Sequence, residues 1–128
     1  MKALVDTSFL IFSAQRGKNF LTVLEEFIGD RVEPVVLKSV YQELRRLAGN
    51  PGKRSMFARA ALQMASTMEI VEYFSDKGVD ESLKAYASKH RIPVITVDRA
   101  LVKKLISEGL PYMTFTRSGR PIVSLILS

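Results

Sequence analysis

The chain has 128 residues, 47% of them hydrophobic and 25% charged, an ordinary composition for a globular protein, and residues 1–128 are read as one domain with a core of its own. With no cysteine the sequence can form no disulfide, thiolate metal site or cysteine nucleophile, and no apolar run reaches the roughly 20 residues of a membrane span. The formal charge of +6 favours a polyanionic partner, usually nucleic acid, although a basic surface kept for solubility gives the same count.

Lys2 to Val5 is a short apolar strand that runs into Asp6. That acid interrupts any signal-peptide layout, and a cytoplasmic location is expected. Thr7 or Ser8 can cap a helix through Phe9, Leu10, Ile11 and Phe12. After Gly17, the positions Phe20, Val23, Leu24, Phe27 and Ile28 recur at helical spacing, with Glu25 and Glu26 outward. Val32 to Leu37 is a second strand, its proline suiting a strand start or edge. Ser39 opens a third helix with the stripe Val40, Leu44, Leu47 and Ala48, stopped by Gly49-Asn50-Pro51-Gly52. Lys53 to about Met64 follows as a helix with Met56, Phe57, Ala60, Ala61 and Met64 inside.

Met68 to Tyr73 alternates as a third strand, and Asp76-Lys77-Gly78 makes a turn. Asp80 begins a helix with Leu83, Tyr86, Ala87 and His90 on one side, and Pro93 to Val97 is the fourth strand. Asp98 begins the last helix, with Leu101, Val102, Leu105 and Ile106 inward. Pro111 to Thr116, a turn at Arg117–Arg120, and Pro121 to Leu127 form a closing hairpin. Strands alternating with helices predict a three-layer α/β/α sandwich around a mainly parallel sheet.

In such sheets ligands sit beyond the carboxyl ends of the parallel strands. Asp6 ends the first strand, Asp98 stands one residue past Val97, and Asp80 opens the helix before that strand. Glu43 lies three residues after Val40 and four before Leu47, at the border of its helix's apolar stripe, with Arg45 and Arg46 further out. Carboxylates sharing one site repel each other, and a divalent cation resolves the conflict. Oxygen donors suit Mg²⁺ or Mn²⁺, whereas Zn²⁺ favours His or Cys, and the chain has one histidine. Such an ion polarises a phosphodiester and activates water, while basic residues hold the polymer by its phosphates. Each acid also has a structural reading. Asp80 and Asp98 suit helix N-caps, and Glu43 suits a solvated helix face; capping is open to Asp6 too, but fits it least well. Asp76 and Glu81 read as turn and first-turn acids, and His90 as a helix-end residue with no catalytic role.

Four pieces taken in order resemble the PIN domain, a family of metal-dependent nucleases, over essentially the whole chain. They are Leu4-Val5-Asp6-Thr7-Ser8, Tyr41-Gln42-Glu43-Leu44, the run from Asp80 to Ala87, and Val94-Ile95-Thr96-Val97-Asp98. Thr96-Val97-Asp98, at the family's distance from Asp80, is the most specific of them. The resemblance implies that Asp6, Glu43, Asp80 and Asp98 surround one or two Mg²⁺ or Mn²⁺ ions, with Ser8 and Thr96 as polar supports. It implies endonucleolytic cleavage of RNA without a covalent nucleophile, and register favours Asp80 over Glu81 as the third acid. The family includes VapC-type toxins, usually dimeric and held inactive by an antitoxin, and nucleases of ribosomal RNA processing that work with ribosome-assembly partners. The closing hairpin and high charge look more like the processing branch. A non-catalytic RNA-binding module is the remaining alternative, disfavoured by the four intact acids. A haloacid-type phosphatase would need a second Asp where Ser8 stands.

Overall fold

The computed structural model describes residues 1–73 and 75–125. The first half runs β1 (Lys2–Val5), α1 (Thr7–Arg16), α2 (Phe20–Ile28), β2 (Glu33–Leu37), α3 (Lys38–Ala48) and α4 (Lys53–Ala65). The second runs β3 (Glu69–Val71), α5 (Val79–His90), β4 (Val94–Ile95), α6 (Arg99–Ser107), β5 (Tyr112–Phe115) and β6 (Pro121–Ser124). The strands form one sheet in the order β3-β2-β1-β4-β5-β6, parallel except for β6 against β5. This is the expected three-layer α/β/α sandwich. Among the described residues no helix is long and apolar enough to cross a membrane.

The central strands are apolar on both faces because helices cover both. Ala3, Leu4, Val5, Val35, Val36, Leu37, Val94 and Ile95 are all buried. Helices α1, α3 and α4 pack on one another, while α5 and α6 lie against β4 and β5. An aromatic cluster closes the α1 side: Phe115 of β5 lies 5.8 Å from both Phe9 and Phe12 and 5.0 Å from Phe20, ring centre to ring centre. Asn19 caps α2 by accepting from the Leu21 amide at 3.1 Å. The β5–β6 turn closes through the Thr116 amide on the Arg120 carbonyl at 2.8 Å.

Several expected positions moved. Met56 and Ala60 are exposed; α4 buries Ala61 as expected, together with Ser55, Ala58 and Ala65. Small residues there let α4 pack closely against α1 and α3. Phe27 and Ile106, expected inward, are 60% and 57% exposed, each in the last turn of its helix. Glu25 folds back to accept the Val32 amide at 2.9 Å instead of pointing outward. His90 is exposed and stacks on Tyr86. Helix α3 starts at Lys38, with Leu37 and not Ser39 at its cap, and α5 starts at Val79, with Gly78 at the cap and Asp80 inside the first turn. β1 spans Lys2–Val5 as expected, and the other five strands are shorter than the apolar runs that signalled them. Of the last run, Ile126 and Leu127 lie outside the described residues.

Candidate active site

The sheet order creates a switch point. The chain lays β2 and β3 on one side of β1, then crosses to lay β4, β5 and β6 on the other. Open α/β sheets bind their ligands beyond the carboxyl ends of the strands at such a point, here β1 and β4. Asp6 and the Thr96–Asp98 segment are the first residues past those ends.

Register brings Asp6 and Thr96 together. Leu4 pairs with Val94 and Val5 with Ile95, and the Asp6 amide donates to the Ile95 carbonyl at 2.9 Å. One step further, the Thr96 hydroxyl donates to Asp6 Oδ2 at 2.7 Å. Ser8, in the first turn of α1, donates its hydroxyl to the same oxygen at 2.7 Å. Each hydroxyl has one proton to give. The amides of Val97 and Asp98 donate to the Ser8 and Thr96 oxygens at 3.0 and 3.1 Å, the two hydroxyl oxygens lie 3.0 Å apart, and an ionised Asp6 is the acceptor that can take both hydroxyl protons. The network is therefore arranged for a carboxylate. The expectation that Thr7 or Ser8 caps α1 does not hold: Asp6 occupies the cap position without a side-chain cap bond, and the Ser8 hydroxyl faces Asp6.

Asp6 is 7% exposed. Burial, the largest influence, pushes its carboxyl above the ordinary aspartate value and the nearby Asp80 charge adds to this, while the Ser8 and Thr96 hydroxyls oppose it. Among the described residues no cation forms an ion pair with Asp6. Asp98 is exposed and caps α6, its Oδ1 accepting the Ala100 amide at 2.9 Å and the Leu101 amide at 3.4 Å. Asp80, in the first turn of α5, faces Lys104 Nζ at 3.4 Å. Glu81 is turned to Lys84 at 2.9 Å, and that ammonium pulls its carboxyl below the usual range. Glu43 is half-buried on α3 and has no ion pair or side-chain hydrogen bond among the described residues, even with Arg46 three residues on.

Asp6, Ser8, Thr96 and Asp98 thus form one bonded chain, Asp80 is joined to it by charge, and Glu43 makes no recorded contact with it. Among the described residues no three His, Cys, Asp or Glu side chains stand close enough to enclose a metal ion. The donor chemistry still fits a hard cation, since the site offers only oxygens around a buried acid that lacks a positive partner. Mg²⁺ in particular takes one or two carboxylates and completes its shell with water and substrate phosphate. A cavity of about 580 Å³ lies at the far end of α1, between Ser13, Gly17, Met64 and Met68, and none of the four acids lines it.

Sequence reasoning missed two lysines here. Lys84 has a helical signal, standing three residues after Glu81, and it also bonds Glu108 at 2.7 Å. Lys104 reaches Asp80 from another helix, which no local spacing announces.

Comparison with known proteins places the architecture. A family model described as a PIN like domain matches residues 3–117. Ribonuclease VapC4 of Methanocaldococcus jannaschii is 29% identical over 116 residues, 88% of each chain. The solved structure of the PIN domain endonuclease Utp24 is similar in fold, with a TM-score of 0.78 over 99% of this chain and 93% of that one at 20% identity.

Proposed function

The chain belongs to the PIN-like domain family, and we propose that it is a metal-dependent endoribonuclease whose site is built on Asp6, Glu43, Asp80 and Asp98. The observation that carries this reading is Asp6: a buried acid at the sheet's switch point, without a cationic partner and with both neighbouring hydroxyls turned to hold it ionised. The similarity to a ribonuclease over 88% of both chains supports RNA as the substrate.

In this reading Asp6 would help hold Mg²⁺ or Mn²⁺, with Ser8 and Thr96 bonded to its Oδ2. Ser8 and Thr96 orient that carboxylate and do not touch substrate. Asp98 keeps Oδ1 on the α6 amides and offers Oδ2. Asp80 and Glu81 each face a lysine, at 3.4 and 2.9 Å, and Asp80 is favoured as the third acid because it is the one whose charge acts on the Asp6 carboxyl. Glu43 adds the fourth charge from α3. When bound, the ion supplies Lewis-acid polarisation of the scissile phosphate and a more acidic water. Basic residues hold the remaining phosphates.

The test is degradation of defined RNAs by the purified protein with Mn²⁺ or Mg²⁺ and with chelator. Metal-dependent internal cleavage is expected, and Asp6→Asn should abolish it while retaining the fold. An Asp6→Asn protein that cleaves like wild type removes the assignment. Calorimetric titration with Mn²⁺ separates an enzyme from a non-catalytic RNA-binding module, since carboxylate-dependent binding is expected only of the former.

For the cellular role, the similarity to VapC4 favours a VapC-type ribonuclease, a toxin partnered by an antitoxin and working as a dimer, over the ribosomal RNA processing expected from the hairpin. Growth arrest on expressing wild type but not Asp6→Asn, relieved by a neighbouring antitoxin gene, supports the toxin. Harmless expression with an accumulated rRNA precursor on deletion supports processing.

A further inference from the structure

Residues 44–68 contain five of the nineteen basic residues and none of the thirteen acidic ones, so this stretch carries five of the chain's six units of net positive charge. It forms the last turns of α3, the 49–52 turn and α4. Elsewhere thirteen acids stand among fourteen basic residues, and four of these, Lys2, Lys38, Lys84 and Lys104, each face a carboxylate. Among the described residues none of Arg45, Arg46, Lys53, Arg54 and Arg59 does. Arg59 is used inside the hairpin, its Nη1 donating to Ser55 Oγ at 3.2 Å and to the Ala48 carbonyl at 3.4 Å, which ties α4 to the end of α3. The other four are exposed and flank the turn. Lys53 and Arg54 stand at the start of α4, where cations oppose the helix dipole and neither an acidic side chain nor a side-chain cap compensates. An anion from outside the chain satisfies all of these at once.

Beside these cations is a cavity of about 260 Å³ lined by Ile11, Gln15, Leu47, Arg54, Phe57 and Ala58. It is below the size of most drug-sized ligand sites, about 300 Å³ and upward, and suits a single planar ring. Phe57 supplies an aromatic face, Arg54 a guanidinium and Gln15 an amide that can bond a base edge. Aromatic and arginine faces are what unpaired nucleobases stack on. The cavity adjoins the candidate active site through two elements: Leu47 is one turn past Glu43 on α3, and Ile11 lies three residues past Ser8 on α1.

We propose that the α3–α4 hairpin is the RNA-holding surface, with phosphates on Arg45, Arg46, Lys53 and Arg54 and one unpaired base in the cavity beside Phe57. The substrate class is therefore single-stranded RNA. This rests on the nuclease reading for the identity of the polymer.

The test is binding of a short labelled single-stranded RNA to the full chain in EDTA, where nothing is cleaved. Replacing Arg45, Arg46, Lys53 and Arg54 together by Gln is expected to weaken binding at least tenfold and to flatten the log–log salt slope by roughly 0.7 per cation removed. The control Lys18→Gln with Arg31→Gln, two exposed cations outside the 44–68 stretch, stays within twofold of wild type. Phe57→Leu keeps the apolar packing and loses the flat face, and is expected to weaken binding about tenfold with the salt slope unchanged. Wild-type affinity in the four-cation variant overturns the surface, and so does equal loss of binding to polyglutamate, which marks a dock for acidic protein. Unchanged affinity in Phe57→Leu, or duplex RNA bound as tightly as single strand, overturns the base site. If the chain binds RNA through the hairpin but never cleaves it with metal, the nuclease reading alone fails. If it cleaves normally with the four cations removed, the hairpin alone fails.

Discussion

Two opposing influences meet at Asp6: burial and the Asp80 charge favour the neutral acid, and two hydroxyls favour the anion. Burial wins, so the folded chain binds this proton more tightly than the unfolded chain does. The stability Asp6 contributes without metal is then present at low pH and lost as pH rises from the ordinary aspartate range through the raised value. Asp6→Asn should therefore melt at the same or a higher temperature than wild type at neutral pH. In EDTA its melting temperature should also vary less across that window; a clearly lower melt at neutral pH contradicts the shift. Thr96→Val tests the other side of the balance. It removes a hydroxyl that favours the anion while keeping the buried shape, so the acidic limb of the pH–rate profile should move to higher pH. The neutral rate should fall about 10–100-fold, as when partners that orient metal ligands are removed. An unmoved limb means Thr96 has no hold on Asp6.

At the scale of elements, the β5–β6 hairpin shows how a turn is coupled to packing. Gly119 has φ +88°, and a Cβ there would stand 3.3 Å from Phe20 Cε1, in the aromatic cluster that joins α1 and α2 to β5. Gly119→Ala is expected to cost about 1–2 kcal/mol from the backbone alone. Urea unfolding should show a lower midpoint, while cleavage by the folded protein stays near wild type. A midpoint unchanged by the substitution contradicts the strain. Helix stripes followed the same logic of local fit. Periodicity found the buried faces of α2 and α6 but assigned Phe27 and Ile106 to them, because a repeating pattern does not say which of its positions the packed neighbours cover.

Over the whole molecule, charge is unevenly spread, with five of the six units of net positive charge on residues 44–68. An RNA held by several phosphates releases as many counterions, so affinity in EDTA should drop roughly 10- to 100-fold between about 50 and 200 mM salt. Salt-insensitive binding removes RNA as the partner. The parallel order places Asp6 and the Thr96–Asp98 segment at adjacent strand ends although about ninety residues separate them, and it makes the site a property of the sheet rather than of any motif.

The alternation of apolar runs and breakers was enough to predict the layered α/β/α architecture, the near-complete set of elements and the strand end at Asp6, because burial on both faces of a parallel sheet leaves a contiguous signal. It also supplied the acids as residues, with Asp98 readable both as a cap, which it is, and as a site acid. Folding determined what those residues face. Register set Thr96 beside Asp6 and the first turn of α1 brought Ser8 to the same oxygen, while contacts across elements brought Lys84 to Glu108 and Lys104 to Asp80. Hydrogen bonds and charge pairing act over a few ångströms between segments far apart in the chain, so they emerge only once the strands have been laid side by side.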